Sequence, residues 1–236
     1  MLYYLDNVHS KASPANENYA RELMELHTMG EDAYVNHLYD DWEKVPGASE
    51  GKPVGFIDED IYEIARAFTG WTVGNKMVWN EHAHVPATGE FYYNDRVHDH
   101  YQKRIFGVDF DSHRAPMQDG LDVLDMVAFH PATPKFICTK MCKWLISDTP
   151  PQSIIDKAVK VWVENEKESD QLRKVTEAII LSVEFESNLF NKIKRPNLLL
   201  ASFFRTTGSK FRPFSDYHWY LSEMGYNQYN WGPPTG

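Results

Sequence analysis

A short polar stretch near the start of the chain carries side chains that are capable of acid–base chemistry. Arg21, Glu22 and Glu25 lie close together in it, and residues three and four positions apart share one face of a helix. We predict Glu22 and Glu25 as general bases or ligands, with Arg21 orienting a carboxylate or lowering its pKa. The alternative is that the same residues form an exposed ion-pair row, or a buried polar network that organises the fold.

A second pair of reactive side chains, His98 and Asp99, lies in a region rich in glycine, histidine and aromatic residues. Imidazole and carboxylate groups are ligands for divalent metal ions. We therefore predict His98 and Asp99 as catalytic residues and, together with Glu22, as the ligands of a divalent cation. In the alternative interpretation, Asp99 orders its own loop by accepting hydrogen bonds from backbone amides.

Three further residues are predicted to contact a substrate. Trp71 follows Thr-Gly and would form an aromatic wall of a cleft, although aromatic residues in long loops more often anchor the loop. Asn18 lies in the row of Glu22 on the first helix, and His130 precedes a proline at a helix end. A histidine in that position is also explained as a helix cap.

Paired histidines and two cysteines complete the candidate residues. His82 and His84, like His98 and His100, are two residues apart, a spacing that suits zinc or copper and keeps a redox protein open as an alternative. The two cysteines are four residues apart on a predicted helix and lack the spacing of a metal-binding motif. We interpret them as core thiols.

The composition excludes several classes of protein. The chain has 236 residues, of which 42% are hydrophobic and 25% are charged, as in globular proteins. Its formal net charge of −10 argues against a general nucleic-acid binder. No run of about 18 apolar residues occurs, so the sequence predicts no transmembrane segment.

Helical spacing of apolar residues dominates the chain and predicts a mainly α fold. Asn16 or Asn18 would cap a first helix that ends at Gly30, and Asp58 would cap a second. We predict a single helical domain over residues 1–236, as a segment of a longer protein. Residues 71–114 form an irregular insertion within it, with room for a short β-hairpin built from residues 91–93 and 104–106.

The order and spacing of several motifs resemble a bacterial family, the domain of unknown function 1800 family. The resemblance runs from end to end of the chain and rests on these segments: 16–30, 67–71, 98–107, 130–140, 182–185, 194–196 and 224–234. It implies a mainly helical protein with an export signal upstream, of which this chain is the later part. It implies a periplasmic or extracellular location, but no particular reaction.

Two function classes follow from these observations. The first is an exported hydrolase, with or without a divalent metal ion, that acts on an envelope or extracellular polymer. The second is a non-catalytic binding or structural component of the envelope, in which the same residues form a polar network. The two classes differ on the state of Glu22 and His98: catalysis requires them to be reachable in a cleft, whereas a scaffold buries and satisfies them. The expected partner is another exported protein or an extracellular polymer.

Overall fold

A computed structural model describes residues 1–38, 44–47, 49, 54–74, 87–210, 212 and 215–226 of the chain. The predicted histidine pair His82 and His84 lies outside these residues. The chain divides into two compact units, Met1–Cys138 and Thr139–Gly236. In the described part, no helix combines the length and the apolar character needed to cross a bilayer.

Helices predominate, which confirms the prediction of a mainly α fold. They are α1 (Glu17–Glu22), α2 (Asp58–Ala67), α3 (Gln118–Ala128), α4 (Ala132–Leu145), α5 (Gln152–Glu164), α6 (Gln171–Ile180), α7 (Val183–Ser187), α8 (Pro196–Thr207) and α9 (Ser215–Glu223). The strands are β1 (Trp71–Val73), β2 (Phe91–Tyr93), β3 (Lys103–Ile105) and β4 (Val108–Phe110).

The first helix changes its geometry halfway along its length. The Asn16 side chain begins it by accepting a hydrogen bond from the Asn18 backbone N–H at 2.9 Å. The sequence predicts an α-helix that continues to Met29, but residues Leu23–Thr28 form a π-helical segment. Its backbone hydrogen bonds join residues that are five positions apart, instead of four as in an α-helix. An example is the bond from Met29 N–H to Met24 O at 2.9 Å. Met24 of this segment is completely buried.

The described residues of the insertion between α2 and α3 form two antiparallel hairpins. Trp71 of β1 lies opposite Tyr93 of β2, and Lys103 of β3 lies opposite Phe110 of β4. The sequence correctly places strands near 91–93 and 104–106, but each of them pairs with a different neighbour. The β3–β4 turn explains the one-residue shift of β3, since Phe106 takes a positive φ of 49° and therefore leaves the strand.

The core of the first unit holds the hairpins against the helices. Phe68 at the end of α2 contacts Trp71 edge-to-face, with 5.1 Å between the ring centroids. Gly120 of α3 faces the same indole, and a Cβ atom at this position would lie 2.6 Å from the Trp71 ring. Gly70 turns the chain at φ +81°, where a Cβ would lie 2.6 Å from the backbone oxygen of Asn94. Both glycines are therefore required by close approach.

The second unit is built from helices alone in the residues that the structure describes. α5 and α6 lie side by side, and their fully buried side chains include Ile154 and Ile179. The short helix α7, which the sequence does not predict, begins at Ser182, whose hydroxyl accepts a hydrogen bond from the Phe185 N–H at 3.0 Å. Neither α7 nor α8 has a buried residue.

Candidate functional site

Arg21 on α1 holds two carboxylates that come from different elements. Its guanidinium lies 3.2 Å from Glu25 on the π-helical segment and 3.3 Å from Asp58 at the start of α2. The Tyr34 hydroxyl donates a hydrogen bond to the same Asp58 oxygen at 2.9 Å. The predicted pairing of Arg21 with Glu25 is therefore present, and Arg21 orients the Glu25 carboxylate.

Glu22 lies next to this ion pair but takes no part in it. Its Oε2 atom is buried and has no hydrogen-bond partner among the described residues. Burial raises the pKa of Glu22 above its ordinary value, and the nearby negative charge of Glu25 raises it further. Glu22 and Glu25 therefore differ in environment although they are only three residues apart: one carboxyl group is ion-paired and the other is unpaired.

His98 is buried and both of its ring nitrogens face oxygen atoms of the protein. Nδ1 lies 2.9 Å from the Thr69 carbonyl oxygen, and Nε2 lies 3.4 Å from Oδ2 of Asp119 on α3. Asp119 is the centre of this network, because it also accepts hydrogen bonds from Lys103 at 2.7 Å and from Arg114 at 3.1 Å. These partners fix the imidazole in position.

Lys103 carries a fully buried ammonium group whose three N–H bonds are all used. Besides Asp119, Nζ donates to the backbone oxygens of Asp99 at 2.5 Å and Tyr101 at 2.9 Å. A buried charge is tolerated when its partners satisfy every donor. The ammonium therefore ties the loop 99–101 to helix α3.

Asp99 is paired with Arg66 of α2 through both carboxylate oxygens. Arg66 Nε lies 2.8 Å from Oδ2, and Nη2 lies 3.1 Å from Oδ1. Burial alone would raise the pKa of Asp99. The hydrogen bonds from Arg66 and from the Tyr101 N–H, together with the positive charges of Arg66 and Lys103, outweigh burial and lower the pKa. The Asp99 backbone N–H also donates to the Thr69 hydroxyl at 2.8 Å. Such bidentate pairing restricts the carboxylate to one orientation.

The predicted metal ligands do not fit a divalent cation. In the described residues, no three histidine, cysteine, aspartate or glutamate side chains are arranged to hold a metal ion. The imidazole of His98 and the carboxylate of Asp99 already face protein partners, as described above. A metal ion would have to displace these partners, so we derive no reaction step that involves a metal.

The predicted substrate contacts are scattered. Trp71 is buried in the core against Phe68 and Gly120, and so it packs the insertion rather than lining a cleft. His130 is also buried, and its Nδ1 accepts a hydrogen bond from the Ala132 N–H at the start of α4. Asn18 is exposed and lines a surface cavity of about 510 Å³. Asn18 thus lies beside an accessible cavity, whereas Trp71 and His130 are buried.

Several residues of the two clusters are not singled out from the sequence. Asp119 and Lys103 carry a detectable signal, because each charged residue occupies a position in register with apolar core residues. Asp119 precedes the buried Val123 by one helical turn, and Lys103 alternates with the buried Ile105 on β3. Asp58 is predicted only as a helix cap, and Arg66 and Tyr34 have no comparable signal. Tertiary contacts bring all three into the clusters.

The buried carboxylate of Asp119 predicts a loss of stability in acid. Burial would raise the pKa of Asp119, but hydrogen bonds from His98 and Lys103 lower it to about 2. The ionised Asp119 therefore stabilises the folded state, and this stabilisation is complete above pH about 4. About 2 kcal/mol of it is lost as the pH falls to about 2. Urea unfolding at several pH values measures how the free energy of unfolding depends on pH. Asp119→Asn should make this dependence weaker. Asp109→Asn, which changes an exposed carboxylate, should leave it unchanged. Parallel curves for Asp119→Asn and the unchanged protein would contradict the prediction.

The chain is thus a mainly α protein with a π-helical carboxylate site and a separate buried ion network. It belongs to the family described as protein of unknown function (DUF1800), whose sequence profile matches residues 1–236. This confirms the resemblance found in the sequence. No curated protein and no solved structure is significantly similar to the chain.

Proposed function

We propose that the protein is an exported hydrolase whose acid–base pair is Glu22 and Glu25. The observation that carries the proposal is the half-buried side chain of Glu22. Its Oε2 has no hydrogen-bond partner in the described part of the chain and its pKa is raised, while the second carboxylate, Glu25, is paired with Arg21. Two carboxyl groups held in different environments can divide the roles of acid and base between them. A π-helical segment, which is frequent at functional sites, supports the same location.

The chemistry suits the glycosidic bonds of an envelope or extracellular polysaccharide. Glu22 donates its proton to the leaving oxygen as the bond to the sugar carbon breaks. Glu25, oriented by Arg21, takes a proton from the water molecule whose oxygen bonds to that carbon. Proton exchange with solvent then restores both groups. Asn18, one turn before Glu22, would contact the polymer from the neighbouring cavity.

The His98–Asp99 cluster has a structural role in this proposal. His98, Asp99, Lys103 and Asp119 are buried and paired, which supports the scaffold interpretation for this cluster and not for Glu22. The periplasmic or extracellular place of action rests on the resemblance to exported proteins. The rival proposal is a non-catalytic envelope component that binds the polymer without cleaving it.

Incubation of the full chain with purified polysaccharides tests the proposal. Peptidoglycan, neutral glucans and acidic exopolysaccharides are the substrates, and the measurement is the appearance of new reducing ends. We expect release from at least one of them, at a rate that depends on Glu22. Retention of a polymer in a pull-down without any release would contradict the hydrolase and support the binding component. If the protein neither releases reducing ends nor retains a polymer, both proposals are contradicted.

A further inference from the structure

A long part of the second unit combines exposed apolar side chains with a one-sided charge. Between Glu186 and Asp216 the chain has no acidic residue, although its formal net charge is −10. We call residues 187–212 the basic apolar segment. Its six basic residues are Lys192, Lys194, Arg195, Arg205, Lys210 and Arg212.

The loop before α8 presents apolar side chains to solvent. Phe190 is fully exposed, with a relative accessible surface of 101%, and Ile193 is exposed to 78%. Phe190 has φ +73°, a left-handed backbone that is uncommon for a residue with a side chain. Lys194 of this loop donates a hydrogen bond to Ser202 at 2.9 Å, so the loop lies along α8.

Helix α8 continues the apolar surface. Leu199 and Phe203 are exposed, and no residue of the helix is buried. A helix that is apolar over most of its surface is usually buried, either against other parts of a protein or in a membrane. The exposed basic residues flank this helix on both sides in the sequence, with Lys194 before it and Lys210 after it.

We infer that the basic apolar segment binds the surface of an anionic phospholipid bilayer. Lysine and arginine side chains are attracted to anionic headgroups, while leucine and phenylalanine side chains enter the region beneath them. Of the six basic residues, Lys192 is ion-paired with Asp148. The segment still has no carboxylate of its own, so its charge disfavours pairing with the same segment of a second copy, where positive charges would face positive charges. The inference is independent of the proposed hydrolysis and goes beyond it.

Flotation of the full chain with lipid vesicles tests this inference. We expect binding to phosphatidylcholine vesicles that contain phosphatidylglycerol, and little binding to pure phosphatidylcholine. Phe190→Ser should weaken the partitioning of the protein onto the vesicles about tenfold. The variant lacks the phenyl ring whose transfer from water into the bilayer favours binding. Lys194→Gln and Lys210→Gln should each weaken it about fivefold. These side chains are exposed, so their replacement should leave the fold intact.

Two substitutions on other helices of the same unit serve as matched controls. Leu172→Ser removes an exposed apolar side chain, and Lys160→Gln removes an exposed positive charge. Both should leave the partitioning unchanged. Absence of binding, or equal binding with and without phosphatidylglycerol, would overturn the inference. A dimer that Phe190→Ser dissociates, without any vesicle binding, would also overturn it and show that a second copy covers the segment.

Discussion

Glu22→Gln is expected to lower the rate of polysaccharide hydrolysis by about a hundredfold to ten-thousandfold. The substitution keeps the size of the side chain but removes the proton that the leaving oxygen must receive. Since burial and Glu25 raise the pKa of Glu22, the activity of the unchanged protein should fall as the pH rises through that raised pKa. The measurement is the initial rate of reducing-end release across a pH series.

A substrate whose leaving group needs no proton distinguishes a general acid role of Glu22 from a structural role. The phenolate of an aryl glycoside with an acidic phenol leaves without protonation. Glu22→Gln should therefore cleave such a substrate at much of the rate of the unchanged protein. The control is Glu31→Gln, which makes the same change at an exposed position after the π-helical segment and should not alter the rate. A Glu22→Gln variant with full activity on the polymer would refute the acid role, and equal losses on both substrates would indicate a structural one.

Lys103→Met is expected to destabilise the first unit by about 3–5 kcal/mol. The substitution removes a fully buried ammonium group and leaves the carbonyl oxygens of Asp99 and Tyr101 without their donor. It also removes one of the positive charges that balance the buried Asp119. The free energy of unfolding, measured with urea, reports the loss.

An exposed lysine provides the matched control for this change. Lys160→Met replaces a side chain that is 76% exposed, and it should change the free energy of unfolding by less than about 0.5 kcal/mol. Adding Asp119→Leu to Lys103→Met should cost less than the sum of the two single changes, because no unpaired charge is then left buried. A loss below about 1 kcal/mol in Lys103→Met would show that the network does not hold the fold.

The two clusters differ in how far the sequence predicts them. Arg21 and Glu25 are four residues apart on one helix, so their pairing follows from local spacing and is found in the structure. The π-helical segment is not predicted, because hydrogen bonds that span one more residue leave no distinct pattern in a stretch of six residues. Asp58 joins Arg21 only through the packing of α2 against α1.

The environment of His98 and Asp99 depends on contacts between residues distant in the chain. Arg66 reaches Asp99 across 33 residues, and Asp119 meets Lys103 across 16. Without these partners, the adjacent imidazole and carboxylate suggest metal ligands. With them, the same two side chains are held in a buried ion network. Residue types indicate which chemistry is available, but only the partners decide whether it is used.

By itself, the sequence determines the family, the mainly α fold and the position of most helices. These properties depend on caps, glycine stops and apolar spacing, which act within a few residues. Only the tertiary structure decides that Trp71 is a core residue, that His98 is paired and that Glu22 is not. Burial and pairing are set by side chains brought together from separate elements, and the pKa of a carboxyl group follows from that surrounding rather than from its neighbours in the chain.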